Sequence, residues 1–380
     1  MKILITGTHF TPAQAVIEEL KKDDSVEIVY VGRKTTIEGD KTPSVESRIL
    51  PELGVKFIPL TAGRIRRFFS FWTIISFLKI PLGFIQSFNI LVSEKPDVVL
   101  SFGGYIGLPV VFNAWLLNIP IILHEQTLVS GLSNKMSSLF ADKVAVSFEK
   151  KYEFSKKKII FTGNPIRTEL LKYNDKNFQS RKNVTSQKIK EFVYNSKNSS
   201  SPLVLVTGGN QGSHIINETV EKSLDEFLKL GVLVHQTGDS SFKDYERLKE
   251  KQNERYLVEK WIDGNDFGFL ISNTDLVISR AGANTLTELA YFGVPALVIP
   301  IPYVNKNEQE KNADFFEDLG LVKKLLQKGL TSEKLLKTVK TAISELKSLK
   351  EKSKNAKKVV IEDAARRVAL ETKILGEHEY

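Results

Sequence analysis

The chain has 380 residues, a formal net charge of +9, 42% hydrophobic residues and no cysteine. That length calls for two domains rather than one core, and the missing cysteines exclude a disulfide framework, thiol catalysis and cysteine-ligated zinc. The charge favours an anionic partner such as nucleic acid, an acidic membrane surface or a phosphorylated ligand, although much of it lies in lysine-rich helical stretches such as Leu335 to Lys358, where a solvated face accounts for it.

The opening MKILITGTHF has too short an apolar run for a signal peptide and predicts a first strand, Lys2 to Thr6, with a cytosolic location. Thr11-Pro12 predicts an N-cap followed by proline at the first helical position, opening a helix over Ala13 to Leu20. Val26 to Val31 supplies the next strand, and this order announces a parallel α/β domain. His9 falls at the carboxyl end of the first strand, where open α/β sheets hold their ligands. A turn histidine is also a common surface residue, but its imidazole suits proton transfer near neutral pH.

Arg64 to Val92 joins a basic cluster, Arg64, Arg66 and Arg67, to an aromatic and aliphatic stretch broken by Lys79, Pro81 and Asn89. The breaks argue against a membrane span. The composition fits a helix that docks on anionic lipid, and equally a buried helix with a solvated basic end. Pro96 to Ser101 is a further strand, ended by Phe102-Gly103-Gly104-Tyr105, with a helix from about Leu108. Ile119 to Leu123 repeats the scheme and finishes in His124-Glu125-Gln126, a polar cluster that reads as ligand-facing or as an ordinary capping turn.

Thr162 to Arg167 reads as the exit from the first domain, and the polar stretch Lys172 to Ser201 as a linker or exposed excursion. Leu203 to Thr207 opens a second α/β unit, which Gly208-Gly209-Asn210-Gln211-Gly212-Ser213 turns into a helix. The dinucleotide fingerprint G-x-G-x-x-G is absent, which disfavours an oxidoreductase. Asp275 to Gly293, DLVISRAGANTLTELAYFG, runs an apolar strand through a small-residue turn into a short helix, an arrangement whose unpaired amides attract phosphate. Thr285-x-x-Glu288 within it is also a capping-box pattern, in which Glu288 closes its own helix. With 5 histidines and no clustered Asp/His pattern, no dedicated metal site is expected. Glu362 to Leu375 is a terminal helix that can cross back onto the first domain.

Taken in order, Gly103-Gly104-Tyr105, His124-Glu125-Gln126, Gly163 to Arg167, Gly208 to Gly212, His235-Gln236-Thr237-Gly238, Arg280 to Ala283 with Glu288, and Gln309 with Asn312 resemble one family. It is that of the peptidoglycan UDP-N-acetylglucosamine transferases, in glycosyltransferase family 28, which convert undecaprenyl-diphosphate-linked lipid I into lipid II. The resemblance implies a GT-B fold, two Rossmann-like doubly wound α/β domains facing across a cleft. The acceptor and membrane-facing domain would span 1–165, with the helix at about 360–380 packed back on it, and the UDP-sugar domain 166–359. It implies an inverting transfer without metal or organic cofactor, a lipid-linked acceptor, no nucleic-acid partner, and a peripheral position on the cytoplasmic face of the plasma membrane.

By residue match, His9 would be the catalytic base. Arg167, Asn210, Gln211, Ile262, Thr285, Glu288, Gln309 and Asn312 would meet the donor, Glu288 through the ribose hydroxyls and Thr285 beside the diphosphate. Thr8, Tyr105, His124 and Glu125 would line the acceptor side. The family carries Gly-Gly-Thr-Gly-Gly-His where this chain has Thr6-Gly7-Thr8-His9, so the donor half matches more closely than the acceptor half. The same frame accommodates a transferase acting on diacylglycerol or another prenyl diphosphate, or a non-catalytic UDP-sugar-binding membrane subunit.

Overall fold

The structure is a computed structural model describing residues 1–35, 43–63, 71–174, 184–209, 212–239 and 242–377, with 71–78 and 305 by their backbone alone. The chain divides into two compact units, Met1–Ile166 with Ile361–Tyr380, and Arg167–Val360.

In the first unit the strands are β1 (Lys2–Thr6), β2 (Glu27–Gly32), β3 (Lys56–Pro59), β4 (Val98–Ser101), β5 (Ile121–Glu125), β6 (Lys143–Val146) and β7 (Ile159–Phe161). They form one parallel sheet in the order β3-β2-β1-β4-β5-β6-β7. Between them run α1 (Phe10–Leu20), α2 (Val45–Glu52), α3 (Phe71–Glu94), α4 (Gly104–Leu116) and α5 (Leu132–Phe140). Because helices cover both faces, the centre of β1, Ile3-Leu4-Ile5, is an unbroken apolar run rather than an alternating one. Ile3 and Ile5 face one core with Val16, Ile17 and Leu20 of α1, while Leu4 faces the other with Val110 and Val111 of α4.

The second unit repeats the winding with β8 (Leu203–Thr207), β9 (Val232–Gln236), β10 (Tyr256–Glu259), β11 (Leu276–Ser279), β12 (Ala296–Val298) and β13 (Val322–Lys324), ordered β10-β9-β8-β11-β12-β13 and again all parallel. Its helices are α6 (Thr168–Leu171), α7 (Gln187–Asn198), α8 (His214–Glu221), α9 (Leu224–Leu230), α10 (Asp244–Lys249), α11 (Gly264–Asn273), α12 (Ala283–Phe292), α13 (Glu308–Asp318), α14 (Ser332–Ser344) and α15 (Leu346–Ser353). The last helix, α16 (Ala364–Glu377), belongs to the first unit. There Val368 and Leu375 join the core of Ile3 and Ile5, and Lys143 pairs with Glu371 at 2.8 Å.

Three sequence expectations are corrected. The first helix begins at Phe10 with His9 as its N-cap, so Thr11-Pro12 lie inside its first turn, where a proline removes no helical hydrogen bond. The fourth begins at Gly104 rather than near Leu108; Pro109, its sixth residue, removes one helical hydrogen bond, and burial of Ile106, Val110 and Val111 holds the helix. The stretch read as a linker is built into the second unit: α7 is capped by Ser186, whose side chain accepts from the Ile189 amide, and it buries Ile189 and Val193 one turn apart. Residues 175–183 of that stretch and the cluster Arg64, Arg66 and Arg67 lie outside the described residues.

Two histidines are interior groups. His235 is fully buried, with Nε2 3.0 Å from Asn217 Oδ1 and Nδ1 2.8 Å from the Tyr256 hydroxyl. Burial pushes its imidazole down to about 3 and that of buried His124 down to about 4. The unfolded chain, where histidine titrates near pH 6.5, therefore takes up these protons first. Their contribution to stability is whole above that pH and is lost as the pH falls through the window below it, by up to about 1.4 kcal/mol per pH unit for each group. Thermal unfolding at pH 7 and pH 5 should show a smaller acid destabilisation for His235→Gln than for the wild-type chain; equal slopes would contradict the burial account.

Candidate active site

In a doubly wound sheet the strand order reverses at one point, and the loops there splay apart to leave a crevice at the carboxyl ends of the strands. In the second unit this point lies between β8 and β11. From β8 the chain enters Gly208-Gly209 and returns through Gly212 to α8. Gly212 has φ +74 and lies so close to the next strand end that a Cβ would stand 2.1 Å from the Thr237 carbonyl oxygen, so no other residue fits.

From β11 the chain passes Arg280-Ala281-Gly282 into α12. Gly282 is the N-cap and has no side chain with which to cap the helix, and the first turn carries no acidic residue. The first intrahelical bond runs from the Leu286 N–H to the Gly282 carbonyl at 3.0 Å. The amides of Ala283 and Thr285 thus precede the helical ladder, and open space surrounds the position a Gly282 Cβ would take. The turn is braced from behind. Asn312 donates from Nδ2 to the Ala281 carbonyl at 3.2 Å, and Arg280 donates from Nη1 to the Ile299 carbonyl and to Gln327 Oε1, both at 2.9 Å.

A pocket opens beside this turn. Thr207, Gly209 and Gln236 line it from the strand ends, Thr285 and Glu288 from α12, and Trp261, Ile262, Arg167 and Phe267 from the opposite side. Arg167 grips Glu288 with two parallel bonds, Nε to Oε1 at 2.9 Å and Nη2 to Oε2 at 3.0 Å, and its guanidinium lies 4.7 Å over the Phe267 ring. The capping-box reading of Thr285 and Glu288 is therefore overturned. Thr285 is the third helical residue, not the cap, and the Glu288 carboxylate is held by Arg167, 121 positions away in sequence.

Of the residues matched to the donor, Arg167, Ile262, Thr285 and Glu288 meet in this pocket. Gln309 accepts from the Ile301 amide at 3.0 Å and so fixes the loop ahead of α13. Asn312, fully buried, donates to the Ala281 carbonyl and so supports that turn. Asn210 and Gln211 lie outside the described residues. Trp261, Phe267 and Gln236 were not singled out from sequence as pocket residues. Trp261 carries the one available signal, an aromatic residue in the polar stretch between β10 and α11. Gln236 is 4% exposed, and its Oε1 has no hydrogen-bond partner among the described residues.

The switch point of the first unit lies between β1 and β4. The Thr8 amide donates to the Gly103 carbonyl at 3.1 Å, and Gly104, at φ +80, would clash with Thr8 Oγ1 if it carried a Cβ. His9, exposed, caps α1 without a side-chain bond, and Tyr105 occupies the first turn of α4, half-buried against the apolar core. His124 and Glu125 do not line an open surface. Both are at most 2% exposed, because β5 is covered on both faces. Glu125 accepts from the Thr127 amide and hydroxyl at 3.0 and 2.8 Å and from Asn134 Nδ2 at 2.9 Å, with burial pushing its carboxyl up. These two residues shape the loop after β5 from within.

Two doubly wound parallel sheets, one with an ion-paired pocket at its switch point, define an α/β protein of the GT-B fold class. Residues 4–146 match the glycosyltransferase family 28 N-terminal domain, and residues 203–368 the family 28 C-terminal domain. A Bacillus cytotoxicus relative named UDP-N-acetylglucosamine--N-acetylmuramyl-(pentapeptide) pyrophosphoryl-undecaprenol N-acetylglucosamine transferase is 34% identical, over 97% of this chain and 97% of its own. An Acetivibrio thermocellus relative of the same name is 31% identical over 97% and 96%. The crystal structure of Acinetobacter baumannii MurG shares the fold at TM-score 0.68 and 23% identity, over 98% of this chain and 99% of that one. So does a UDP-GlcNAc 2-epimerase from Neisseria meningitidis, at 0.62 and 16%, over 98% and 100%. The chain belongs to glycosyltransferase family 28.

The open start of α12 makes a direct prediction. Gly282→Asp supplies a capping carboxylate, worth a few tenths of a kcal/mol to the helix, while placing negative charge where a phosphate would bind. Thermal stability should hold or rise and UDP affinity should fall by at least about 10-fold, or 1.4 kcal/mol. Unchanged UDP binding, measured by calorimetry, would exclude these amides as the anion site.

Proposed function

We propose that the chain is an inverting transferase that moves N-acetylglucosamine from UDP-N-acetylglucosamine to the undecaprenyl-diphosphate-linked muramoyl-pentapeptide, forming a β-1,4 link in peptidoglycan synthesis. The observation that carries this reading is the pocket at the open start of α12, with Arg167, Thr285 and Glu288 convergent on it. The reading is supported by whole-length relatives named for this reaction.

Each element has a chemical task. The first-turn amides of α12 hold the diphosphate and take up the negative charge that grows on it as the sugar leaves. Glu288 accepts hydrogen bonds from the ribose hydroxyls, which requires it to exchange part of its pairing with Arg167, and the displaced guanidinium then faces the diphosphate. Trp261 offers a flat aromatic face for the base. His9 takes the proton from the acceptor hydroxyl as that oxygen attacks the anomeric carbon.

The first unit supplies a surface suited to a lipid-borne acceptor. Ile85 and Val92 of α3, Trp115 and Leu116 of α4, and Leu132 and Leu139 of α5 are all exposed, on helices packed side by side, with Lys79 and Lys135 on the same helices. Exposed apolar side chains interspersed with lysines suit shallow docking on an anionic membrane. Among the described residues no helix is long and apolar enough to cross one. We place the protein peripherally, at the cytoplasmic face where a UDP-sugar and the lipid-linked acceptor meet.

A transfer assay with lipid I in phosphatidylglycerol vesicles and radiolabelled UDP-N-acetylglucosamine tests the reading, with diacylglycerol and undecaprenyl diphosphate as alternative acceptors. Lipid II is the expected product; folded protein that binds UDP yet transfers nothing to any acceptor would refute it. His9→Ala should lower kcat and spare donor affinity. Glu288→Ala should weaken donor binding by roughly 1.5–3 kcal/mol, the range for hydrogen bonds to a charged group.

A further inference from the structure

Behind the glycine turn that follows β8 lies a buried polar chain that the proposed chemistry does not use. Asn217 of α8 is fully buried, and both ends of its side-chain amide are hydrogen-bonded. Its Nδ2 donates to the Thr237 carbonyl and to Asp244 Oδ2, both at 3.0 Å, and its Oδ1 accepts from His235 Nε2 at 3.0 Å. That assignment leaves His235 Nδ1 to accept from the Tyr256 hydroxyl, as its neutral form requires.

Asp244, the first residue of α10, is 1% exposed. Besides Asn217, its carboxylate accepts from His214 Nδ1 at 2.9 Å and from Arg247 Nη2 at 2.7 Å, and Arg247 in turn donates from Nε to Glu221 Oε2 at 2.8 Å. A carboxylate is stable at such depth only when donors surround it, and here they come from two helices.

The Thr237 carbonyl is the joint of this chain. It receives the Asn217 amide on one side, and on the other the Gly212 backbone rests against it. The segments that meet there continue from two strand ends that line the pocket, Thr207 of β8 with Gly209 just beyond it, and Gln236 of β9. The network thus ties these two strand ends together from behind.

We infer that Asp244 is a positioning residue for the nucleotide diphosphate of the donor: through Asn217 it fixes the Thr237 carbonyl, and with it the spacing of the two strand ends that line the pocket. The inference rests on the reading of this pocket as the UDP-sugar site. It assigns Asp244 no contact with substrate; the residue acts only through Asn217.

The test compares Asp244→Ala, Asp244→Asn and Asn217→Ala with the wild-type chain, by UDP calorimetry, donor and acceptor KM, kcat and thermal unfolding. Asp244→Ala should weaken UDP binding and raise donor KM by about 10-fold or more, with kcat and acceptor KM within about 2-fold of wild type, as expected for lost ground-state positioning. Asp244→Asn keeps an oxygen for the Asn217 amide and should recover most of the affinity. Combining Asp244→Ala with Asn217→Ala should cost no more affinity than either alone, since both cut one line of contacts. If Asp244→Ala does not fold, Asn217→Ser shortens the arm that reaches Thr237 and is read in the same way. Asp244→Ala that lowers the unfolding temperature yet binds UDP as tightly as wild type would overturn the inference alone. A wild-type chain that binds no UDP would remove the underlying reading as well.

Discussion

The arrangement depends on one constraint: a helix that starts at the reversal point of a parallel sheet has amides with no helical partner, and α12 leaves them without a side-chain cap. Ser, Thr, Asp or Asn at that cap would bring a side-chain oxygen to these amides. This chain has Gly282 instead and surrounds it with supports on the other side, Asn312 on the Ala281 carbonyl and Arg280 on the loop after β12. The rigid parts are behind the amides and the open space is in front, which is the geometry a preorganised anion site requires.

The Arg167–Glu288 pair fits the same logic. A two-point guanidinium–carboxylate contact keeps both charges compensated in a largely buried setting, with Arg167 packed on Phe267. A ligand offering hydroxyls to one partner and phosphate oxygens to the other can replace each half of the pair with a group of like chemistry. The pocket is thereby kept charge-balanced with its polar groups already in place. The first unit repeats the winding and the uncapped helix starts, at α1 and α4, but couples them to His9 and to an exposed apolar face on α3, α4 and α5.

Much of this was legible in the sequence because strands covered on both faces appear as unbroken apolar runs, such as LVLVT at 203–207 and LVIS at 276–279, each ending in a turn of small residues. Helix starts were less legible. Thr11-Pro12 carries the signature of a cap, yet the backbone becomes helical two residues earlier, because proline is tolerated anywhere in the first turn. The helix at 187–198 was hidden by its composition, since Ile189 and Val193 are its only buried apolar residues, set among lysines and asparagines. Partners distant in sequence were not legible at all. Nothing local announces that Glu288 meets Arg167, that Glu125 is satisfied by Thr127 and Asn134, or that Asn312 supports Ala281. These polar residues present the same face to a sequence reader whether they serve a ligand or the protein's own backbone.

The central claim is that backbone amides, unaided by a divalent ion, bind the diphosphate. It is tested most directly by titrating the wild-type chain with UDP and with uridine in the presence of EDTA. The account predicts that UDP binds at least about 100-fold more tightly than uridine, a difference of about 2.7 kcal/mol that the phosphates alone supply. Equal affinities, or UDP binding that disappears with the chelator, would contradict it.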